Sequence, residues 1–291
     1  MPSAKNRIVM TVAVLLACLV PCCSGAVFAD STSTPEDAGE AKREGRFWGE
    51  FYNESTISRR DRDNLILFSH IREGVRFRLP AQLGGKAYLI LRHGKDVHKD
   101  FWNNRLEAGI GLLARPAWRV SLVPYFELIL GHYLSVPDEH PQPKERDYWD
   151  VRSGLIFWHG WEGTPSSSRL PGLSLGHWGD LYGDVSYHRN PKGNVVGYFH
   201  SKTGLRLLHF WRSAIGTYGA AYLVKDVNKD FWNNRAEIGP GIWLAPVLDL
   251  DLKVSVEWLE GSYFGLEGED PNPYTQRYRE RRAGATIWIG W

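Results

Sequence analysis

Shifted by 130 positions, the chain aligns with itself: Trp48 to Trp161 falls on Trp178 to Trp291 without a gap, with 36 identities in 114 positions. The densest block sets Lys95-Asp96-Val97-His98-Lys99-Asp100-Phe101-Trp102-Asn103-Asn104-Arg105 against Lys225-Asp226-Val227-Asn228-Lys229-Asp230-Phe231-Trp232-Asn233-Asn234-Arg235. Trp48-Gly49 matches Trp178-Gly179, and Arg152, Gly154, Trp158, Gly160 and Trp161 match Arg282, Gly284, Trp288, Gly290 and Trp291. Solenoid units run to about 20 to 50 residues. A period this long describes two halves of one closed structure.

Within each unit the pattern has period two, the signature of strands. From Arg105 to Leu112, Arg105, Glu107, Gly109 and Gly111 fall on one face and Leu106, Ala108, Ile110 and Leu112 on the other; the second copy keeps this parity from Arg235 to Ile242. Six strands fit the unit, near residues 47–57, 65–78, 86–94, 105–114, 119–133 and 149–161, so two units supply twelve. Short turns such as Arg115-Pro116-Ala117-Trp118 alternate with long polar stretches such as Ser135 to Asp147, and Glu162 to His177 forms a Ser-, Pro- and Gly-rich linker.

The N-terminus has the anatomy of a secretory signal peptide over residues 1–29: Lys5 and Arg7, the apolar run Ile8 to Val20, and a small-residue site at Val27-Phe28-Ala29. Leu15-Leu16-Ala17-Cys18 offers a competing lipoprotein box, although the apolar run continues past that cysteine. Residues 30–46 read as a disordered periplasmic lead-in. Cys18, Cys22 and Cys23 all lie in the leader, which leaves the mature chain without thiol chemistry, disulfides or cysteine-ligated metal, and no cofactor is expected. Without Lys5 and Arg7 the 33 acidic residues are matched by equally many basic ones, and a neutral chain lacks the electrostatic footprint of nucleic-acid binding. After residue 29 the longest stretch free of charged residues is Ser213 to Val224, twelve residues. A membrane helix needs about twenty, so any crossing is made by strands.

A soluble sandwich shows the same alternation with its faces exchanged. Thirteen tryptophans instead suit interfacial girdles around a barrel. The chain ends on Trp288-Ile289-Gly290-Trp291, which resembles the aromatic-ended final strand of outer-membrane barrels, with Trp where that family usually carries Phe. The resemblance implies an outer-membrane location with lipid and the barrel-assembly machinery as partners. The fold expected is an all-β, antiparallel transmembrane β-barrel of about twelve strands from two tandem six-strand repeats, 48–161 and 178–291, joined by the linker 162–177.

The polar face carries the candidate lumen groups. Glu50, Tyr52 and Glu54 are expected beside His70, Arg72 and Arg76, and Asp180, Tyr182 and Asp184 beside His200, Lys202 and Arg206. Charges shared by both copies are Arg76/Arg206, Arg105/Arg235, Glu107/Glu237, Glu127/Glu257 and Arg152/Arg282. They can guide a polar solute or fill a small barrel with ion pairs. Catalysis is the runner-up: His200 and Ser201 are adjacent on a strand and point to opposite faces, and no Gly-x-Ser-x-Gly or His-Glu-x-x-His occurs. In the duplicated block, Asp96, Asp100, Asn103 and Asn104, with Asp226, Asp230, Asn233 and Asn234, offer polar contacts beside Phe101-Trp102 and Phe231-Trp232, whose rings can stack on a sugar. The same groups can instead cap strand ends. Asp-Phe-Trp-Asn-Asn-Arg followed by Glu-x-Gly-x-Gly loosely resembles the barrel domains of exopolysaccharide-export and phage-adsorption outer-membrane proteins. That resemblance implies passage or docking of a carbohydrate, with an outer-membrane hydrolase and a structural or phage-receptor barrel as alternatives.

Overall fold

A computed structural model describes residues 46–59, 64–78, 84–98, 103–115, 121–134, 145–163, 166–167, 174–190, 193–210, 212–228, 233–247, 251–264 and 277–291. The leader, nearly all of the lead-in, and Asp100, Phe101, Trp102, Asp230, Phe231 and Trp232 lie outside these residues. The first half forms β1 (Phe47–Ser58), β2 (Asn64–Arg78), β3 (Gly84–Asp96), β4 (Arg105–Arg115), β5 (Leu122–Tyr133) and β6 (Asp147–Glu162). After the two-residue β7 (Ser166–Ser167), the second half forms β8 (Ser174–His188), β9 (Asn194–Phe210), β10 (Ser213–Asp226), β11 (Arg235–Ala245), β12 (Leu252–Tyr263) and β13 (Arg277–Gly290). The stretch 162–177 is therefore less of a linker than its composition suggests: β8 begins at Ser174, and β7 pairs with that start.

Each long strand pairs antiparallel with its sequence neighbours; β6 pairs with β8 and β1 with β13, closing a twelve-strand barrel. The two seams have one register. Trp161 faces Gly179 and Arg152 faces His188 in one, while Glu50 faces Gly290 and Ser58 faces Arg282 in the other; a shift of 130 converts either into the other. The second seam is finished by reciprocal Gly49–Trp291 backbone bonds of 2.9 and 3.0 Å. The rings of Trp161 and Trp291 lie over Gly179 and Gly49, where any Cβ would collide with the indole.

Parity sorts the side chains into a polar lumen and an apolar exterior. Leu89, Ile110, Leu112, Leu128, Leu130, Val185, Leu205, Leu223, Ile238 and Leu244 are all exposed on the outside. An apolar band encircling the wall is stable only against lipid, and closure leaves no strand edge to be satisfied there. Six connections, 59–63, 97–104, 134–146, 189–193, 227–234 and 264–276, lie at one end; 79–83, 116–121, 211–212, 246–251 and the longer 163–173 lie at the other. An even strand number, an outward apolar band and longer loops at one end are the features of bacterial outer-membrane barrels, with the longer loops outside. The protein is an integral β-barrel of the bacterial outer membrane.

The tryptophans divide by the same parity. Trp149, Trp161, Trp258 and Trp291 face outward, whereas Trp48, Trp178 and Trp243 face the lumen and pack against Tyr88 and Tyr218. A girdle accounts for only part of the tryptophan content; an inward position on a strand overrides the interfacial preference of the ring.

Candidate functional site

The lumen is built from rows of side chains that face inward at matching register. In the first half Glu107 holds Arg152 through bonds of 2.5 and 2.8 Å, accepts a bond from the Tyr148 hydroxyl at 2.6 Å and lies 3.6 Å from Arg105. Asp150 accepts from Nε of Arg152 at 2.8 Å. Glu127 is fully buried and accepts from Arg92 at 2.7 and 2.8 Å and from Tyr88 at 2.8 Å, with Arg72 at 3.7 Å. In the second half Glu237 accepts from Arg282 at 2.7 Å and from Tyr278 at 2.8 Å, with Arg235 at 3.5 Å. Glu257 accepts from Tyr218 and Tyr222 at 2.8 and 2.5 Å, with Lys202 at 3.3 Å and Arg282 at 3.7 Å.

Glycines make these networks possible. Tyr88 on β3 faces Gly111 on β4, which faces Glu127 on β5, so the tyrosine ring lies over the glycine and its hydroxyl reaches an acid two strands away. The rows Tyr218–Gly241–Glu257 and Glu237–Gly261–Tyr278 repeat the arrangement, as does Glu107–Gly131–Tyr148. A methyl group at any of these glycines would overlap the ring. The Glu-x-Gly-x-Gly motif thus supplies both an acid and a bed for a neighbouring tyrosine.

The groups on β1 and β2, and their counterparts on β8 and β9, are more open. Glu50 lies 3.2 Å from His70 and 3.1 Å from Arg72, and Tyr52 stacks on His70 with centroids 5.4 Å apart. Half-way round the strand order, Tyr182 stacks on His200 at the same 5.4 Å, with Asp180 3.7 Å from His200. Glu54 and Asp184 do not meet Arg76 and Arg206 as expected. The antiparallel register sets Glu54 opposite Phe68 and Asp184 opposite Tyr198, and it carries Arg76 toward the other end, beyond Trp48. Arg206 pairs instead with Glu162.

The duplicated block forms two matching clasps. The Asp96 carboxylate accepts from the side-chain amides of Asn103 and Asn104 at 2.7 and 2.9 Å, and the Asn104 carbonyl oxygen accepts from the Asp96 amide at 3.2 Å. Asp226 receives Asn233 and Asn234 at 2.9 Å each, with the Asp226 amide 3.4 Å from Asn234. These polar atoms are spent on one another and hold the loop to the strand ends.

Several lumen residues escaped the sequence reading: Arg92 and Asp150, the bedded tyrosines, and a cluster on β8 and β6. There the Ser186 hydroxyl lies 3.0 Å from Nε2 of His188, whose Nδ1 is 3.7 Å from Asp150. Ser-x-His on one strand places both side chains on one face, and that spacing was the available signal. Among the described residues no cluster has the makings of a metal site.

Neither a protein-family model nor a curated relative matches the chain. Among solved structures it is similar to the β domain of the Bordetella autotransporter BrkA (TM-score 0.38, 10% identity, covering 84% of this chain and 98% of that one). It is also similar to CdiB from Acinetobacter baumannii (TM-score 0.35, 11% identity, 85% and 60%) and to OprB from Pseudomonas putida (TM-score 0.33, 9% identity, 84% and 94%).

Proposed function

We propose that the barrel provides a passage or docking surface for a polar, hydroxyl-rich ligand of the carbohydrate class, held between the strips Glu50–Tyr52–His70–Arg72 and Asp180–Tyr182–His200–Lys202. One observation carries this reading: two stacked Tyr–His pairs, flanked by charged groups, occupy equivalent positions on opposite walls and stay partly exposed. Aromatic faces beside hydrogen-bonding groups suit sugars, which present apolar ring faces and hydroxyl edges. Elsewhere acids and bases pair within the wall, which disfavours a strongly charged solute.

The test is conductance in planar bilayers with neutral oligosaccharides added. Transient current blocks are expected, with residence shortened in a Tyr52→Ala, Tyr182→Ala double variant; a silent barrel, or blocks unchanged by the variant, would overturn the reading. Ser186, His188 and Asp150 favour a second reading, an outer-membrane acyl hydrolase in which His188 takes the Ser186 proton as the hydroxyl attacks. Covalent labelling by a fluorophosphonate, lost in Ser186→Ala, would support it; no labelling of the folded barrel rejects it.

A further inference from the structure

The outer wall differs between the halves at matching positions. Along β13 the outward residues run Ile289, Ile287, Ala285 and Ala283, then change to Arg281, Arg279 and Arg277, all exposed. Arg59, whose amide donates to the Arg281 carbonyl at 3.1 Å, adds a fourth exposed guanidinium. In the first half the places of the three β13 arginines are taken by Val151, Trp149 and Asp147. The run of three outward arginines is therefore peculiar to β13; with Arg59, whose counterpart Arg189 lies over Trp149 at the other seam, it forms a basic ridge at the extracellular edge of the apolar band.

The same wall holds a groove of about 420 Å³ lined by Thr203, Leu205, Thr217, Gly219, Pro240 and Trp258. Their first-half counterparts are Glu73, Val75, Ala87, Leu89, Ile110 and Leu128. Leu89 and Ile110 supply bulk where Gly219 and Pro240 leave space, and Pro240 has no N–H to give the β11–β12 ladder, which skips it. Groove and ridge are continuous. Thr203, Gly219 and Pro240 face one another across β9, β10 and β11, and Trp258 both lines the groove and faces Arg281. With strands about 4.8 Å apart, Gly219 and Arg281 are separated by roughly 14 Å, within reach of one acyl chain.

We propose that this wall binds a phosphorylated, acylated glycolipid of the outer leaflet, with a phosphate on Arg279 and Arg281 and an acyl chain in the groove. Arginine forks match phosphate oxygens in bidentate fashion. Arg279 also lies 3.5 Å from Glu260, but both are almost fully exposed, and an exposed pair of this kind contributes little and yields to a phosphate. The extracellular position selects the glycolipid leaflet over the phospholipid one. None of the groups that would hold the lipid faces the lumen, so the fate of this proposal is independent of the carbohydrate reading.

Native mass spectrometry of the detergent-solubilised barrel tests it, with bis-phosphorylated lipid A, its dephosphorylated form and phosphatidylglycerol offered in turn. Retention of the phosphorylated glycolipid is expected to exceed that of the other two. An Arg279→Gln, Arg281→Gln variant and a Gly219→Leu, Pro240→Ile variant, each shown to be folded by its heat-modifiable mobility, should each bind it about tenfold more weakly or worse. Thr203→Glu, which copies Glu73, serves if the groove variant does not fold. Equal retention by wild type and variants, or phosphatidylglycerol held as firmly as the glycolipid, would overturn the proposal.

Discussion

Glu127 and Glu257 occupy the same place in the two halves and are satisfied in different ways. Glu127 is held by the guanidinium of Arg92 with Arg72 close by; Glu257 is held by two phenols, Tyr218 and Tyr222, with Lys202 beside them. Arg92 and Tyr222 are counterparts, as are Arg72 and Lys202. The buried acid and the glycine-bedded tyrosine are common to both halves, but the other donors differ: Arg92 reaches both oxygens of Glu127, whereas the two phenols share Oε1 of Glu257 and leave Oε2 only the charge of Arg282 at 3.7 Å. A buried charge needs compensation rather than one particular partner.

The largest expected effect breaks the ionic side of that comparison. Glu127→Gln removes the carboxylate bonded to the enclosed Arg92, and one of the two beside Arg72, and should lower unfolding stability by about 3 to 5 kcal/mol. Glu257→Gln keeps an acceptor for both phenols and removes only the charge facing Lys202 at 3.3 Å and Arg282 at 3.7 Å, and should cost about 1 to 3 kcal/mol. Urea unfolding in detergent micelles measures both, and equal losses would show that the two networks are energetically alike. A smaller effect probes what the halves share: Gly111→Ala and Gly241→Ala each press a methyl into a tyrosine ring and should cost a similar amount, about 1 to 3 kcal/mol. Unequal losses in the same titration would mean that the bed matters in one half only. The mildest change sharpens the contrast by transplanting one solution into the other. Arg92→Tyr recreates the second-half donor beside Glu127 and should cost under about 1.5 kcal/mol, whereas Arg92→Met, which supplies no donor, should cost more; the ranking of the two is the readout.

How much of this was legible in the chain depended on how far each contact reaches. Period two fixed which residues face the lumen, and pairs in adjacent strands, such as Glu50 with Arg72, follow from a hairpin. Contacts that skip a strand did not follow. Tyr88 meets Glu127 only because Gly111 lies between them, and nothing local to Tyr88 announces it. Glu54 and Arg76 looked like partners when columns were compared, but an antiparallel register runs one column backwards. Trp48 and Trp178 looked like girdle residues by type and are lumen residues by parity. Ser186 and His188 were readable from spacing alone, although their acid, Asp150, comes from the preceding long strand.

The equal registers of the two seams bear on how the chain is cut rather than on what it binds. A circular permutant opened within 164–173 and rejoined between residues 291 and 46 would present the former β8 as its first strand and the former β6 as its last, closing through the pairing that β13 and β1 use now. Neither half owns the closing edge. By the same logic an isolated first half exposes two edges complementary to those of a second copy of itself, the condition for a two-fold symmetric dimer, so the barrel closed by one chain is one of two connectivities that the same pair of edges allows.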